Sequence, residues 1–381
     1  MVITSVRTLC LTRLHERERM WQTSRYRTIK ADAAIVVIET DEGITGIGEA
    51  SPYGWPPLIR RQVEWLSQLL IGRDPCDPAT APHPTGASSP HDCAVGGIDT
   101  ALWDIRSQAA GRPLAALLAP SPQQGVRLYA SSGVRYDWDD RPEQVIEETL
   151  GYLEQGFTAC KLRVGTEWSW SGVTVDRFCG LMRDLSTAVA GRMELMLDGN
   201  QRLTEEEALA VGRELGRLGF TWFEEPVPQT DIDAYIRLNA ALDVPVTGGE
   251  QFTTVQRFEP YLRRGAYRIA QPDVAWCGIT EAMRIAELAD RHGVDVCPHN
   301  WHNGLMTLAH AHYVAALPHP HVLEMCMVQG PLQWEILADP PLPADGTLTL
   351  PRRPGLGVRL ARDLEARFPH VEGHYAINVE R

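Results

Sequence analysis

Three carboxylates recur at an even interval. Asp198 closes Met193-Glu-Leu-Met-Leu-Asp198, Glu224 closes Phe220-Thr-Trp-Phe-Glu224, and Glu250 closes Val244-Pro-Val-Thr-Gly-Gly-Glu250, with a step of 26 residues each time. A strand, a turn, a helix and a second turn occupy about that length, so the pattern is that of parallel βα units. Acids at the C-terminal ends of successive parallel strands face one mouth. Three of them there make a hard-oxygen site for a divalent cation. Glu225 follows Glu224 directly, so on spacing alone either could be the middle ligand.

The elements that must carry these acids follow from hydrophobic periodicity. Strands are expected at 126–131, 157–163, 193–198, 220–224, 244–250, 267–272, 294–298 and 321–325. Helical patterns lie between them at 142–155, 174–190, 204–218, 231–242, 253–264, 279–292 and 304–316. The third opens on Thr204-Glu-Glu-Glu207, a capping-box spacing, and Gly219 is placed to stop it. Eight such units over about 250 residues predict an α/β fold, a closed (β/α)8 barrel. An open doubly wound sheet would need a glycine-rich phosphate turn after its first strand, and Ser131-Ser-Gly133 is not one.

With strands placed, their ends read as a set: Lys161 and Arg163, Asp198, Glu224, Glu250, Asp273, His299 and Glu324. Chance does not usually put an ionisable side chain at seven consecutive strand ends. Singly, an acid there is often a helix N-cap. Lys161 and Arg163 are two apart on a strand and face the same way, either as a salt-bridged interior or as cations that bind a substrate carboxylate. His299 belongs to a histidine-rich stretch (His292, His302, His310, His312, His319, His321) that reads mostly as surface or satisfied core. It stands out by position, because Asp273 one strand away could bond its ring and make a general base. Glu324 reads either as a partner in the site or as a charged strand end.

The first part of the chain does not alternate. Val2–Leu11 and a hairpin over residues 28–50, turning at Asp41-Glu42-Gly43, predict a three-stranded meander, with helices at 59–71 and 95–110. Breakers at Ala119–Gly125 mark a linker. The expected organisation is an N-terminal α+β capping domain (1–124), a barrel (125–355), and a tail (356–381) returning to the first domain. A net charge of −13 argues against nucleic acid or an anionic membrane as partner. The N-terminus lacks a signal-peptide core, no apolar run approaches the ~20 residues of a membrane span, and the eight scattered cysteines read as reduced core residues of a cytoplasmic protein. Of 36 basic residues only Lys30 and Lys161 are lysines, which makes a retained lysine more informative.

The sequence resembles the enolase superfamily, within it the mandelate racemase subgroup. The likeness is carried by Glu39-Thr-Asp-Glu-Gly43, Gly46-Ile-Gly-Glu49-Ala50, Gly97-Ile-Asp99-Thr-Ala-Leu-Trp-Asp104, the strand-end acids and Pro354-Gly-Leu-Gly357. The resemblance implies Mg²⁺ on Asp198, Glu224 and Glu250, a His299–Asp273 dyad as base or acid, and Glu324 as a partner of the substrate carboxylate. It selects Glu224 over Glu225, and implies a dimer or octamer. The family's Lys-x-Lys after the second strand is here Lys161-Leu162-Arg163. An arginine is a poor base. Either Arg163 is a fixed electrophile and His299 the one base, or Lys161 has taken the base role.

The chemistry expected is removal of the α-proton of a carboxylate substrate through a stabilised enediolate. Racemisation needs acid–base groups on both faces, whereas dehydration can use one histidine twice. The Lys-x-Arg variant therefore favours a sugar-acid dehydratase, a hydro-lyase. The alternatives are an epimerase, racemase or cycloisomerase, then a glycosidase or a non-catalytic binding barrel. Specificity is expected from capping-domain loops at about 15–30 and 51–57, through Arg25, Tyr26, Arg27, Tyr53 and Trp55.

Overall fold

The computed structural model describes residues 1–16, 20, 26–50, 55–133, 138, 141–165, 168, 172–320, 322–328 and 330–378, with the backbone alone for Tyr26 and Asn378. Arg25, Tyr53 and His321 lie outside the described residues.

The N-terminal sheet is organised by a strand that is buried on both faces. The strands are β1 (Ile3–Leu14), β2 (Tyr26–Thr28), β3 (Lys30–Thr40) and β4 (Thr45–Ala50). In β3, Ala34, Val36 and Ile38 pack with α1 (Pro56–Leu70) and α2 (Pro90–Ala109), while Ala33, Ile35 and Val37 join the larger barrel core. Side chains alternate faces along a strand, so β3 feeds both clusters, and its two edges pair with β1 and β4. The antiparallel order is accordingly β1-β3-β4. Gly46 and Gly48 let β4 lie against α2: a methyl at Gly48 would collide with the Gly97 carbonyl.

After α3 (Leu114–Leu118) comes the parallel alternation, matching the expected strands to within a few residues at each end. The strands are β5 (Gly125–Ser131), β6 (Ala159–Arg163), β7 (Glu194–Asp198), β8 (Trp222–Glu224), β9 (Val246–Gly248), β10 (Ile269–Ala270), β11 (Asp295–Val296) and β12 (Leu323–Cys326). They run side by side from β5 to β11, and β12 pairs with β5. Between them stand α4 (Gln144–Glu154), α5 (Val175–Val189), α6 (Glu205–Leu218), α7 (Ile232–Ala241), α8 (Val255–Arg263), α9 (Val274–Arg291) and α10 (Gly304–Ala316). Thr204 and Glu207 do form the capping box of α6, and Gly219 ends it at φ 75°. Helix α9 is interrupted at Gly278 (φ 80°), where a side chain would strike Asp99 of α2. The barrel interior is filled by Tyr129, Ala159, Met196, Trp222, Ile269, Cys297 and Val322.

The C-terminal segment folds back as β13 (Thr347–Thr349) on β5, then α11 (Leu364–Arg367) and β14 (Ala376–Asn378) on β2. Lys30 Nζ donates to the Val371 carbonyl at 2.6 Å. Three buried carboxylates of the cap reach barrel donors. Glu49 accepts from Asn303 Nδ2 (2.6 Å) and the Met306 N–H (3.1 Å), Asp92 from the Thr253 hydroxyl (2.7 Å), and Asp99 from Thr280. Seven of the eight free cysteines are buried; Cys76 is exposed and departs from the core expectation because it sits in the proline-rich segment between α1 and α2. No helix among the described residues is long and apolar enough to cross a membrane.

Candidate active site

Register brings the site together. Arg163 of β6 lies beside Asp198 of β7, which lies beside Glu224 of β8, so one row of the sheet carries a cation and two acids at its C-terminal edge. Lys161, two residues earlier on β6 and fully buried, places Nζ 2.6 Å from Glu224 Oε1 and 3.1 Å from Glu324 Oε1. Arg163 lies 3.7 Å from Asp198 Oδ2, with its guanidinium over the Trp301 ring at 3.9 Å. That stack and that carboxylate hold a planar cation in one orientation.

The two adjacent glutamates have different surroundings. Glu224 Oε2 accepts from Gln271 (2.7 Å) and Trp222 (3.2 Å), beside Lys161. Glu225 has a left-handed backbone (φ 35°) that turns it aside, where Gln201 Nε2 (2.7 Å), Gln229 Nε2 (3.0 Å) and the Gly249 N–H (3.2 Å) take its oxygens. Burial, then Glu250 and Asp198, push its carboxyl well above the usual range. Glu225 is thus occupied by protein donors, and Glu224 is the glutamate next to Asp198.

Asp273 caps α9, as an acid at a strand end often does, through Oδ1 and the Ala275 N–H (2.8 Å). Its Oδ2 lies 2.7 Å from His299 Nδ1, so the capping and dyad readings are both true of one residue. His299 Nε2 is left 3.4 Å from Glu250 Oε2. Among the described residues, Asp273, His299 and His302 are the group of acid and histidine side chains whose ligand atoms all lie within 4.8 Å of one another. Hydrogen bonds to one carboxylate account for that closeness. Asp198, Glu224 and Glu250 are not drawn together so tightly: Asp198 and Glu224 turn toward the donors Asn200 and Lys161, and Glu250 Oε2 faces His299 Nε2 at 3.4 Å.

The charges are unevenly matched. Burial pushes the carboxyls of Asp198 and Glu224 up, although Arg163 and Lys161 oppose it. An oxygen-only set whose acids are short of positive charge is chemistry that a hard divalent cation completes. Burial would lower Lys161, but Glu224 and Glu324 more than reverse this and keep it protonated. Glu324, despite burial, is held well below the ordinary range by Lys161, His299 and Arg163. His299 is pushed up to about 10, burial being outweighed by Glu250, Glu324 and Asp273.

The structure thus brings Lys161, Arg163, Asp198, Glu224, Glu250, Asp273, His299 and Glu324 to one mouth. Of the expected capping contacts, Arg27 is half-buried and Trp55 is exposed with φ 66° at the start of α1. Sequence reasoning missed the rest of the segment after β11. Asn300 donates its N–H to Glu324 Oε2 (2.8 Å), Trp301 carries Arg163, His302 bonds Asp273 (2.7 Å), and Asn303 reaches Glu49. The available signal was the run His299-Asn-Trp-His-Asn303 directly after a strand end, dense in polar and aromatic groups.

A capped (β/α)8 barrel with acids after its third, fourth and fifth strands and a His–Asp pair after its seventh and sixth defines an enolase-type barrel. Residues 7–119 match the mandelate racemase / muconate lactonizing enzyme N-terminal domain and residues 144–364 the enolase C-terminal domain-like family, and the chain belongs to this family. It is similar to a D-galactarolactone cycloisomerase of Agrobacterium fabrum, 32% identical over 385 residues, covering 97% of this chain and 99% of that one. An arabinonate dehydratase of Saccharolobus solfataricus is 30% identical, covering 84% and 86% respectively. The solved structure of an enolase superfamily member from Polaromonas sp. JS666 matches with a TM-score of 0.86 at 30% identity, covering 98% and 99%.

Proposed function

We propose that this protein removes the α-proton of a sugar-acid carboxylate with His299 and then expels the β-hydroxyl as water, giving a 2-keto-3-deoxy acid. The observation that carries this reading is the uneven acid–base content of the mouth: a His299–Asp273 dyad after the seventh and sixth strands, and after the second an arginine held by Trp301 and Asp198. Guanidinium stays protonated at any ordinary pH, so Arg163 binds or polarises and does not take a proton. Lys161, bridged to Glu224 and Glu324, is likewise fixed as a cation; the main cause that raises His299 is Glu250, the acid that would turn to the cation, so His299 is the group that would be released to act as the base.

Asp198, Glu224 and Glu250 would hold Mg²⁺, which supplies Lewis-acid stabilisation to the charge that develops on a substrate carboxylate. Lys161 and Arg163 add placed positive charge toward the same oxygens. Asp273 keeps His299 in the tautomer with Nδ1–H, so that Nε2 accepts the α-proton. The protonated ring then gives that proton to the departing β-hydroxyl, and the resulting enol tautomerises to the keto acid.

A second reading is a lactone cycloisomerase, favoured by the nearly full-length similarity to the enzyme of that printed name. It begins with the same proton abstraction. The test is a screen of sugar mono- and diacids and their lactones with Mg²⁺ in deuterium oxide, read by NMR. A dehydratase gives a 2-keto-3-deoxy product and a cycloisomerase an isomer of unchanged mass in water. His299→Asn is expected to abolish turnover and α-proton exchange together; undiminished exchange would assign the base to Lys161.

A further inference from the structure

The carboxylate that orients His299 is gripped by a second histidine. Asp273 Oδ2 lies 2.7 Å from His299 Nδ1 and also 2.7 Å from His302 Nε2, while Oδ1 takes the Ala275 N–H. An ionised carboxylate can only accept, so both ring nitrogens carry hydrogen. The two rings stand at 89° with centroids 6.0 Å apart, approaching one oxygen from different directions. His310, also near Asp273, is committed elsewhere. Its Nδ1 donates to the Met306 carbonyl (2.9 Å) and its Nε2 accepts the Val274 N–H (3.0 Å), so it has no hydrogen to offer Asp273.

His302 is itself fully buried and stands in the short segment between β11 and α10. Its neighbour Asn303 is pinned by the cap, giving Nδ2 hydrogens to Glu49 Oε1 (2.6 Å) and to the Asp32 carbonyl (3.0 Å). With Oδ1 fixed by a backbone N–H, the placement of Oδ2 depends on its two imidazole donors, and only His299 meets the mouth.

We propose that His302 is a positioning residue for proton transfer: it fixes the Asp273 carboxylate in the orientation that receives His299 Nδ1–H and so keeps His299 Nε2 aimed at the substrate. The inference rests on the reading of His299 as the base. Removing an orienting partner of this kind costs about ten- to one-hundred-fold in activity.

The test compares His302→Leu, which fills the space without a donor, with His302→Gln, whose amide N–H can reach the same oxygen. The leucine variant is expected to lose about ten- to one-hundred-fold in kcat with KM little changed, and glutamine to restore most of the loss. Should the leucine variant not fold, His302→Phe makes the same comparison. A second readout needs no substrate: the low-field, slowly exchanging proton resonance of His299 Nδ1–H in histidine-labelled protein, assigned by its loss in His299→Asn. It is expected to exchange faster in the leucine variant and to recover in the glutamine variant. Equal losses in both variants with the resonance unchanged would make His302 a packing residue and overturn the proposal, as would an unaffected kcat. If the wild-type protein turns over no sugar acid while the resonance responds, the functional reading falls and the positioning of Asp273 stands.

Discussion

His312 offers a quantitative test of how the barrel is tied to its surroundings. It lies fully buried in α10, where Nδ1 accepts the Ala115 N–H of α3 (3.2 Å) and Nε2 is 3.2 Å from the Leu356 carbonyl in the C-terminal return. Accepting at one nitrogen and donating at the other requires the neutral ring, and burial pushes its pKa from 6.5 down to about 4. The folded state therefore binds this proton more weakly than the unfolded chain. Its contribution is complete above pH 6.5 and is lost as pH falls toward 4, to a limit of about 3 kcal/mol. At about pH 5 the loss is about 2 kcal/mol. His312→Gln keeps an acceptor and a donor but cannot titrate. Urea midpoints followed by tryptophan fluorescence at about pH 7.5 and about pH 5 should show the wild-type protein losing about 2 kcal/mol more than the variant. Parallel losses in the two proteins would show that the ring does not stay neutral as argued.

Gly48→Ala should destabilise the cap by about 3 kcal/mol or more, read as a lowered Tm, because the methyl meets the Gly97 and Ala101 backbones, which cannot swing away. Saturating Mg²⁺ should raise the Tm of the wild-type protein, by the equivalent of about 2.7 kcal/mol at one hundred times Kd, and leave Asp198→Asn unmoved; an equal rise in both would remove Asp198 from the cation site. Arg163→Lys should introduce a second competent base, detected as an epimerised substrate carrying solvent deuterium. A variant that forms only the wild-type product would show that Arg163 does not limit the reaction to one face.

The architecture was readable because burial imposes a period. Strand ends 26 residues apart and a capping box at Thr204 are local features, and the barrel follows from their repetition. The charged groups at the mouth were readable for the same reason, since a strand end fixes where a side chain points. What escaped was long-range. Glu49 meets Asn303 across 254 positions, and nothing near either residue announces the other. Trp301 carried no signal of its own, because an indole suits an apolar core as well as a guanidinium. His302 was absorbed into a histidine-rich stretch whose members differ only in what their rings meet. Spacing alone left Glu224 and Glu225 open; the resemblance selected Glu224, and the backbone turn at Glu225 supplies the physical reason.

The boundary between cap and barrel is keyed by Glu49, Asp92 and Asp99, each met by a matching donor on the other side. Exchanging caps between relatives to redirect substrate choice would therefore strand an anion in a dry place wherever the recipient lacks an Asn303, Thr253 or Thr280 equivalent. A workable chimera has to move locks and keys together, three pairs at a time, before any new recognition loop can be judged on its merits.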